Sequence, residues 1–174
     1  MRCFIGIKIN GECLSKIKKI TQNLACANVK GSFVASTNVH ITLAFLGEIC
    51  EEKIKIVEKI LEQIDYKEFF IRITTLKKMK DMLILEVEKN DQLLKIRNEI
   101  VNGLKEKQIY YDDKEFYPHI TLIRKANLFF EKQIEYKNLV SKISLFNSKN
   151  ISGKLIYEEI YTKKLSLKEQ LIEE

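Results

Sequence analysis

Tyr117-Pro118-His119-Ile120-Thr121-Leu122-Ile123-Arg124 and Val39-His40-Ile41-Thr42-Leu43-Ala44-Phe45-Leu46 share the tetrapeptide His-Ile-Thr-Leu, and between them they hold both histidines of the 174-residue chain. The chain has seven threonines. Chance would place one of them two positions after each histidine roughly two times in a thousand, so the echo is treated as signal. Both stretches are β-branched and apolar, without glycine, and read as strands. In a strand, residues i and i+2 share a face. His40 therefore stands beside Thr42, and His119 beside Thr121. Strict alternation sends Ile41, Leu43, Phe45, Ile120 and Leu122 the other way, into a core.

If the two strands face each other, two imidazoles and two hydroxyls surround one space. Imidazole is the side chain suited to proton transfer near neutral pH. A neutral and a protonated histidine form a general base and a general acid. Threonine hydroxyls can donate to the oxygens of a phosphorus centre. The set suits cleavage of a phosphodiester without a metal, because two histidines lacking clustered carboxylates make a poor metal site. One such histidine alone would read as an ordinary half-buried strand residue. The motif symmetry does not say which histidine is acid and which is base.

The paired His-x-Thr-x motifs resemble the 2H phosphoesterase superfamily. The stretches Asn38 to Glu48 and Tyr117 to Arg124 resemble its RNA 2',3'-cyclic phosphodiesterase branch, formerly called 2'-5' RNA ligase. A weaker likeness covers Ser148 to Tyr157. The resemblance implies hydrolysis of a terminal 2',3'-cyclic phosphate to a 2'-phosphate, with His40 as proton donor and His119 as proton acceptor. It implies phosphate contacts from Thr42, Thr121 and Arg124, with no cofactor and no metal. Arg124 raises a difficulty, since strict alternation puts it on the core face with Ile120 and Leu122. Either the strand twists or ends before it, or Arg124 is a surface residue. Tyr117 and Phe116 are candidate base-stacking residues. Two other functions fit the motifs: a 2'-5' oligonucleotide ligase or phosphodiesterase, and a non-catalytic RNA-end binding protein.

A faint repeat runs through the chain. Strand, helix, loop and His-Ile-Thr strand occur once from Cys3 and again from Leu83, with Ile5 and Ile84 each 35 positions ahead of their histidine. Composition and periodicity support an α+β fold. The repeat and the resemblance add two pseudo-symmetric lobes, each a mainly antiparallel sheet with helices outside, flanking a central groove. Residues 1–174 are expected to form a single domain acting as a monomer.

Helices are expected over Glu12 to Leu24, Glu51 to Ile64 and Asp91 to Lys107, the last capped by Asp91. Strands are expected over Arg2 to Ile9, Phe69 to Leu76, Met82 to Val87, Lys142 to Asn147 and Lys154 to Lys163. Gly47 should end the first motif strand, and Lys77 to Asp81 should form a turn. A net charge of +6 suits a polyanionic partner such as RNA, although the basic residues are dispersed. No apolar run approaches membrane-spanning length, and the N-terminal run is cut short by Asn10-Gly11-Glu12. With four cysteines and no Cys-x-x-Cys, the thiols read as reduced and the protein as cytoplasmic.

Overall fold

In a computed structural model of the chain, which describes residues 1–167, two antiparallel sheets and three helices share one core. The first sheet uses both ends of the chain. Its strand order is β3 (His40–Glu48), β1 (Arg2–Lys8), β8 (Lys142–Ile151), β9 (Lys154–Lys164). The second has the order β2 (Ser32–Phe33), β6 (His119–Arg124), β5 (Met82–Val87), β4 (Phe69–Met79), β7 (Lys132–Val140). The fold is mixed α+β, as expected. Each sheet carries one motif strand, and β3 and β6 lie against one another.

The repeat is real in the ladder but one residue out of phase with the equal spacing. Gly6 lies opposite Thr42, and Ile84 lies opposite Thr121. Gly6, not Ile5, is therefore the counterpart of Ile84, and the second connection is one residue longer. Gly6 has a local reason: a Cβ there would meet the Ile41 carbonyl oxygen at 2.6 Å.

The helices follow the apolar stripes. α1 (Gly11–Cys26) buries Ile17 and Leu24, and α2 (Glu51–Glu62) buries Ile54, Val57 and Leu61. Glu51 and Glu52 open α2 where the helix dipole favours negative charge. Burying Val57 and Leu61, both fully covered, contributes about 2 kcal/mol each. α3 (Asp91–Glu106) is capped one residue earlier than expected: Asn90 accepts the Leu93 amide at 2.7 Å, and Asp91 is the first helical residue. α1, which follows β1, packs on β7 of the other sheet, while α3, which follows β5, packs on β3. These crossings tie the two lobes together.

Other boundaries shift for local reasons. β3 continues through Gly47, which adopts φ +69° next to a register irregularity opposite Cys3 and Phe4. β4 runs to Met79, which pairs with Met82, so the turn is only Lys80-Asp81. The β8–β9 hairpin turns at Ser152-Gly153, both at positive φ, as a type I' turn requires. β7 escapes the sequence reading. It is an edge strand whose period-two signal, Ile134, Tyr136 and Val140, is diluted by lysine and glutamate. Among the described residues no helix is long and apolar enough to cross a membrane.

Candidate active site

His40 and His119 open their strands and are held alike. The Nδ1 of His40 lies 2.7 Å from the carbonyl oxygen of Asn38, and the Nδ1 of His119 lies 2.7 Å from that of Tyr117. A carbonyl only accepts, so each Nδ1 carries a proton, and Nε2 is the nitrogen left for chemistry. The His40 Nε2 is 3.0 Å from the Thr42 hydroxyl.

The strands beyond the motifs do not keep strict alternation. On β3, Ala44 lies opposite Ile5 and Thr42 opposite Gly6, so Leu43 is an extra residue. On β6, Ile123 lies opposite Leu83 and Thr121 opposite Ile84, so Leu122 is extra. These are β-bulges, and each reverses the parity of the residues that follow it, on β3 as far as the second irregularity at Leu46. The burial pattern agrees: Leu43 with Ala44, and Leu122 with Ile123, are buried in succession. Phe45 and Arg124 are returned to the face that carries the histidines. The expectation that Phe45 enters the core is thus corrected, and the difficulty over Arg124 is resolved by the bulge.

A groove of about 580 Å³ is lined by His40, Thr42, Phe45, Arg124, Arg2 and Tyr157, with Ser32, Ser148 and further residues of the β8–β9 hairpin. His119 does not line this groove directly, but it lies close enough for its charge to act on the His40 ring, as does Arg124. Thr121 is half-buried on the His119 side of β6. Tyr117 stacks on His119 with ring centroids 5.8 Å apart. Phe116 packs against the core and carries the Arg97 guanidinium 5.1 Å from its ring, away from the groove lining. The aromatic side chains that do line the groove are Phe4, Phe45 and Tyr157.

His40 sits among aromatic rings, with Phe4 at 4.8 Å, Tyr157 at 5.1 Å and Phe146 at 6.4 Å between centroids. Burial among them pulls its pKa down to about 4, opposed by the bond to Asn38 and reinforced by the positive charge of Arg124 and His119. The ring is therefore neutral near pH 7.

Asn38 is buried. Its amide donates to the Leu155 carbonyl at 2.7 Å and its side-chain oxygen accepts the Tyr157 amide at 3.3 Å. It thus pins the β9 edge while its own carbonyl orients His40. Arg2, Phe45, Tyr157 and Asn38 were not singled out as site residues by the motifs. The signals that could have found them are the Asn directly before the first motif, the aromatic five residues after His40 in the place Arg124 holds after His119, and the arginine two residues before Phe4.

A second cleft, about 690 Å³, lies between α2 and α3 and contains neither histidine. No group of three or more His, Cys, Asp or Glu side chains that could hold a metal occurs among the described residues. The four cysteines are free, and burial pushes the Cys13 thiol up to about 11.

Residues 7–83 match the family described as LigT like Phosphoesterase. The chain is 32% identical over 131 residues to an RNA 2',3'-cyclic phosphodiesterase of Thermotoga maritima, covering 71% of this chain and 70% of that one. It is 29% identical over 150 residues to the enzyme of the same name from Archaeoglobus fulgidus, covering 83% and 81%. Among solved structures, TT0787 of Thermus thermophilus superposes with a TM-score of 0.84 at 20% identity, covering 97% of this chain and all (100%) of that one. LigT of E. coli in its apo form superposes with a TM-score of 0.82 at 22% identity, covering 95% and 97%. At such identities these superpositions speak for the fold.

Proposed function

The chain belongs to the LigT-like phosphoesterases of the 2H superfamily and is a phosphodiesterase, and from that premise we propose that it hydrolyses the 2',3'-cyclic phosphate at RNA ends to a 2'-phosphate, by metal-independent acid and base catalysis from two histidines. The observation that carries the reading is the matched pair of imidazoles. Both have Nδ1–H committed to a carbonyl two residues upstream, and both stand on strands that lie against one another.

In this reading the cyclic phosphate sits between β3 and β6. The Nε2 of His119 removes a proton from water, whose oxygen bonds to phosphorus. The bond from phosphorus to the 3'-oxygen breaks, and the Nε2 of His40 supplies the proton that this oxygen takes up. The hydroxyls of Thr42 and Thr121 and the guanidinium of Arg124 face the phosphate oxygens, where charge accumulates. His40 must carry a proton to donate one. The negative charge of the phosphate supplies what burial removes, since an anion beside an imidazole favours its charged form. Four free thiols suit a reducing cytoplasm, and the shared core suits a single domain.

The test is an RNA oligonucleotide ending in a 2',3'-cyclic phosphate, incubated with the protein in excess EDTA. The expected product is the 2'-phosphate. A 3'-phosphate product, turnover that EDTA abolishes and a divalent ion restores, or binding without turnover would each overturn the reading.

A further inference from the structure

The groove contains two arginines, and one reacting phosphate needs only one. Arg124 is near enough to act on His40. Both line the groove, and neither makes an ion pair among the described residues. Three lysines of the same sheet are committed: Lys8 and Lys142 to Glu159, and Lys149 to Glu158. Arg2 instead lies with its guanidinium 5.2 Å from the centre of the Phe45 ring. Stacking fixes the plane of the guanidinium and leaves its edge donors free. Those donors match a phosphate in geometry and charge.

The position along the groove gives the second phosphate its identity. Arg2 is two residues along β1 from Phe4, whose ring touches His40. Two residues of strand span about 7 Å, roughly one nucleotide of an extended single strand. RNA that ends in a cyclic phosphate has a neighbour only on its 5' side. Resting on the function proposed above, we propose that Arg2, positioned by Phe45, binds the internucleotide phosphate on the 5' side of the terminal nucleotide, so that the enzyme recognises RNA ends of two or more nucleotides over cyclic mononucleotides.

Phe45 is a positioning residue here, and it reaches the groove only because of the bulge at Leu43. Ser148, the β8 residue paired with Arg2, and Asn150 line the same groove.

Three substrates test the inference: a nucleoside 2',3'-cyclic phosphate, a dinucleotide with the same cyclic end, and that dinucleotide with an uncharged methylphosphonate linkage. The wild-type protein should favour the charged dinucleotide over the other two by about 10- to 100-fold in kcat/KM, the worth of a charge-assisted pair. Arg2→Gln should lose that preference and become indifferent to the charge of the linkage, and Phe45→Leu should lose part of it. Arg2 is exposed, so its replacement leaves the core intact. A full methylphosphonate penalty retained in Arg2→Gln would overturn the subsite. So would an equal loss on the mononucleotide and the dinucleotide. Failure of the wild-type protein to turn over any of the three would instead overturn the functional reading on which the subsite rests.

Discussion

Leu43 and Leu122 hold equivalent places in the two motif strands: each directly follows the motif threonine, and each is the extra residue of a bulge. A one-residue slip moves every later side chain to the opposite face. The bulges therefore decide that the groove, not the core, receives Phe45 and Arg124. The pseudo-symmetry of the lobes thus extends beyond the His-Ile-Thr motif to a shared backbone irregularity, which ends in different chemistry on each side: an aromatic ring on β3 and a cation on β6.

Arg124→Gln should therefore keep the fold and lose substrate. A charged hydrogen bond to phosphate contributes about 1.5–3 kcal/mol, so kcat/KM should fall by about 10- to 100-fold or more. Thermal unfolding should stay within a few degrees of wild type, because the side chain faces the groove. A large drop in Tm with kcat/KM preserved would place Arg124 in a structural role.

The low pKa of His40 sets a pH dependence of stability. A free imidazole titrates near 6.5, and the folded ring near 4. Between those values the unfolded chain binds more protons than the folded one, so stability is fully present above about pH 6.5 and falls as pH drops toward 4. The loss from this group is on the order of 2–3 kcal/mol. Urea unfolding of wild type and His40→Gln from pH 7.5 to 4.5 measures it. The variant should show the shallower slope in that window, and parallel slopes would mean that the ring is not desolvated. Binding of a nucleoside 2'-phosphate should raise the pKa of this histidine, visible as an upward shift of its NMR titration.

Much of this was legible in the sequence. The helices and most strands follow from period 3.6 and period 2, and the motif pair was visible as a repeated tetrapeptide. The groove was not fully legible because parity arguments assume regular strands. Nothing in Leu43 or Leu122 announces a bulge: leucine fits a regular core position equally well. Tyr117 and Phe116 read as base-stacking candidates in the sequence; in the structure Tyr117 stacks on His119 and Phe116 supports Arg97. Tyr157 and Arg2 come from β9 and β1 and are brought to His40 by long-range pairing.

Thr42 and Thr121 should differ when each is replaced by valine, which keeps the strand shape and removes the hydroxyl. Each loss should cost about 1–3 kcal/mol of transition-state stabilisation, roughly a 5- to 150-fold fall in kcat. Thr42 also bonds the His40 Nε2 at 3.0 Å. Thr42→Val should therefore shift the pH profile of turnover as well, while Thr121→Val lowers the rate without moving it. Full turnover in both variants would make the threonines strand fillers.

The assignment of acid and base can be separated from the need for both histidines. His40→Ala and His119→Ala should each lose about 10²–10⁴-fold in rate, the worth of one positioned proton transfer. That loss alone does not tell donor from acceptor, because the two rings are held by the same kind of bond. The leaving atom does. A substrate with sulfur in place of the departing 3'-oxygen leaves as a thiolate, which needs little protonation. On that substrate His40→Ala should recover most of its lost rate, because the step it assisted is no longer demanding. His119→Ala should remain slow, because water still has to be deprotonated. The neutral state of His40 in the free protein adds a second expectation: on the oxygen substrate, protonation of His40 must accompany phosphate binding, so this requirement should make kcat/KM fall as pH rises through the free-protein pKa of about 4, and this limb should flatten on the sulfur substrate. Rescue of His119→Ala in place of His40→Ala would exchange the two roles. Rescue of neither would mean that neither histidine protonates the leaving oxygen, and the donor would then have to be sought among the other groove residues, with the Tyr157 ring in contact with His40.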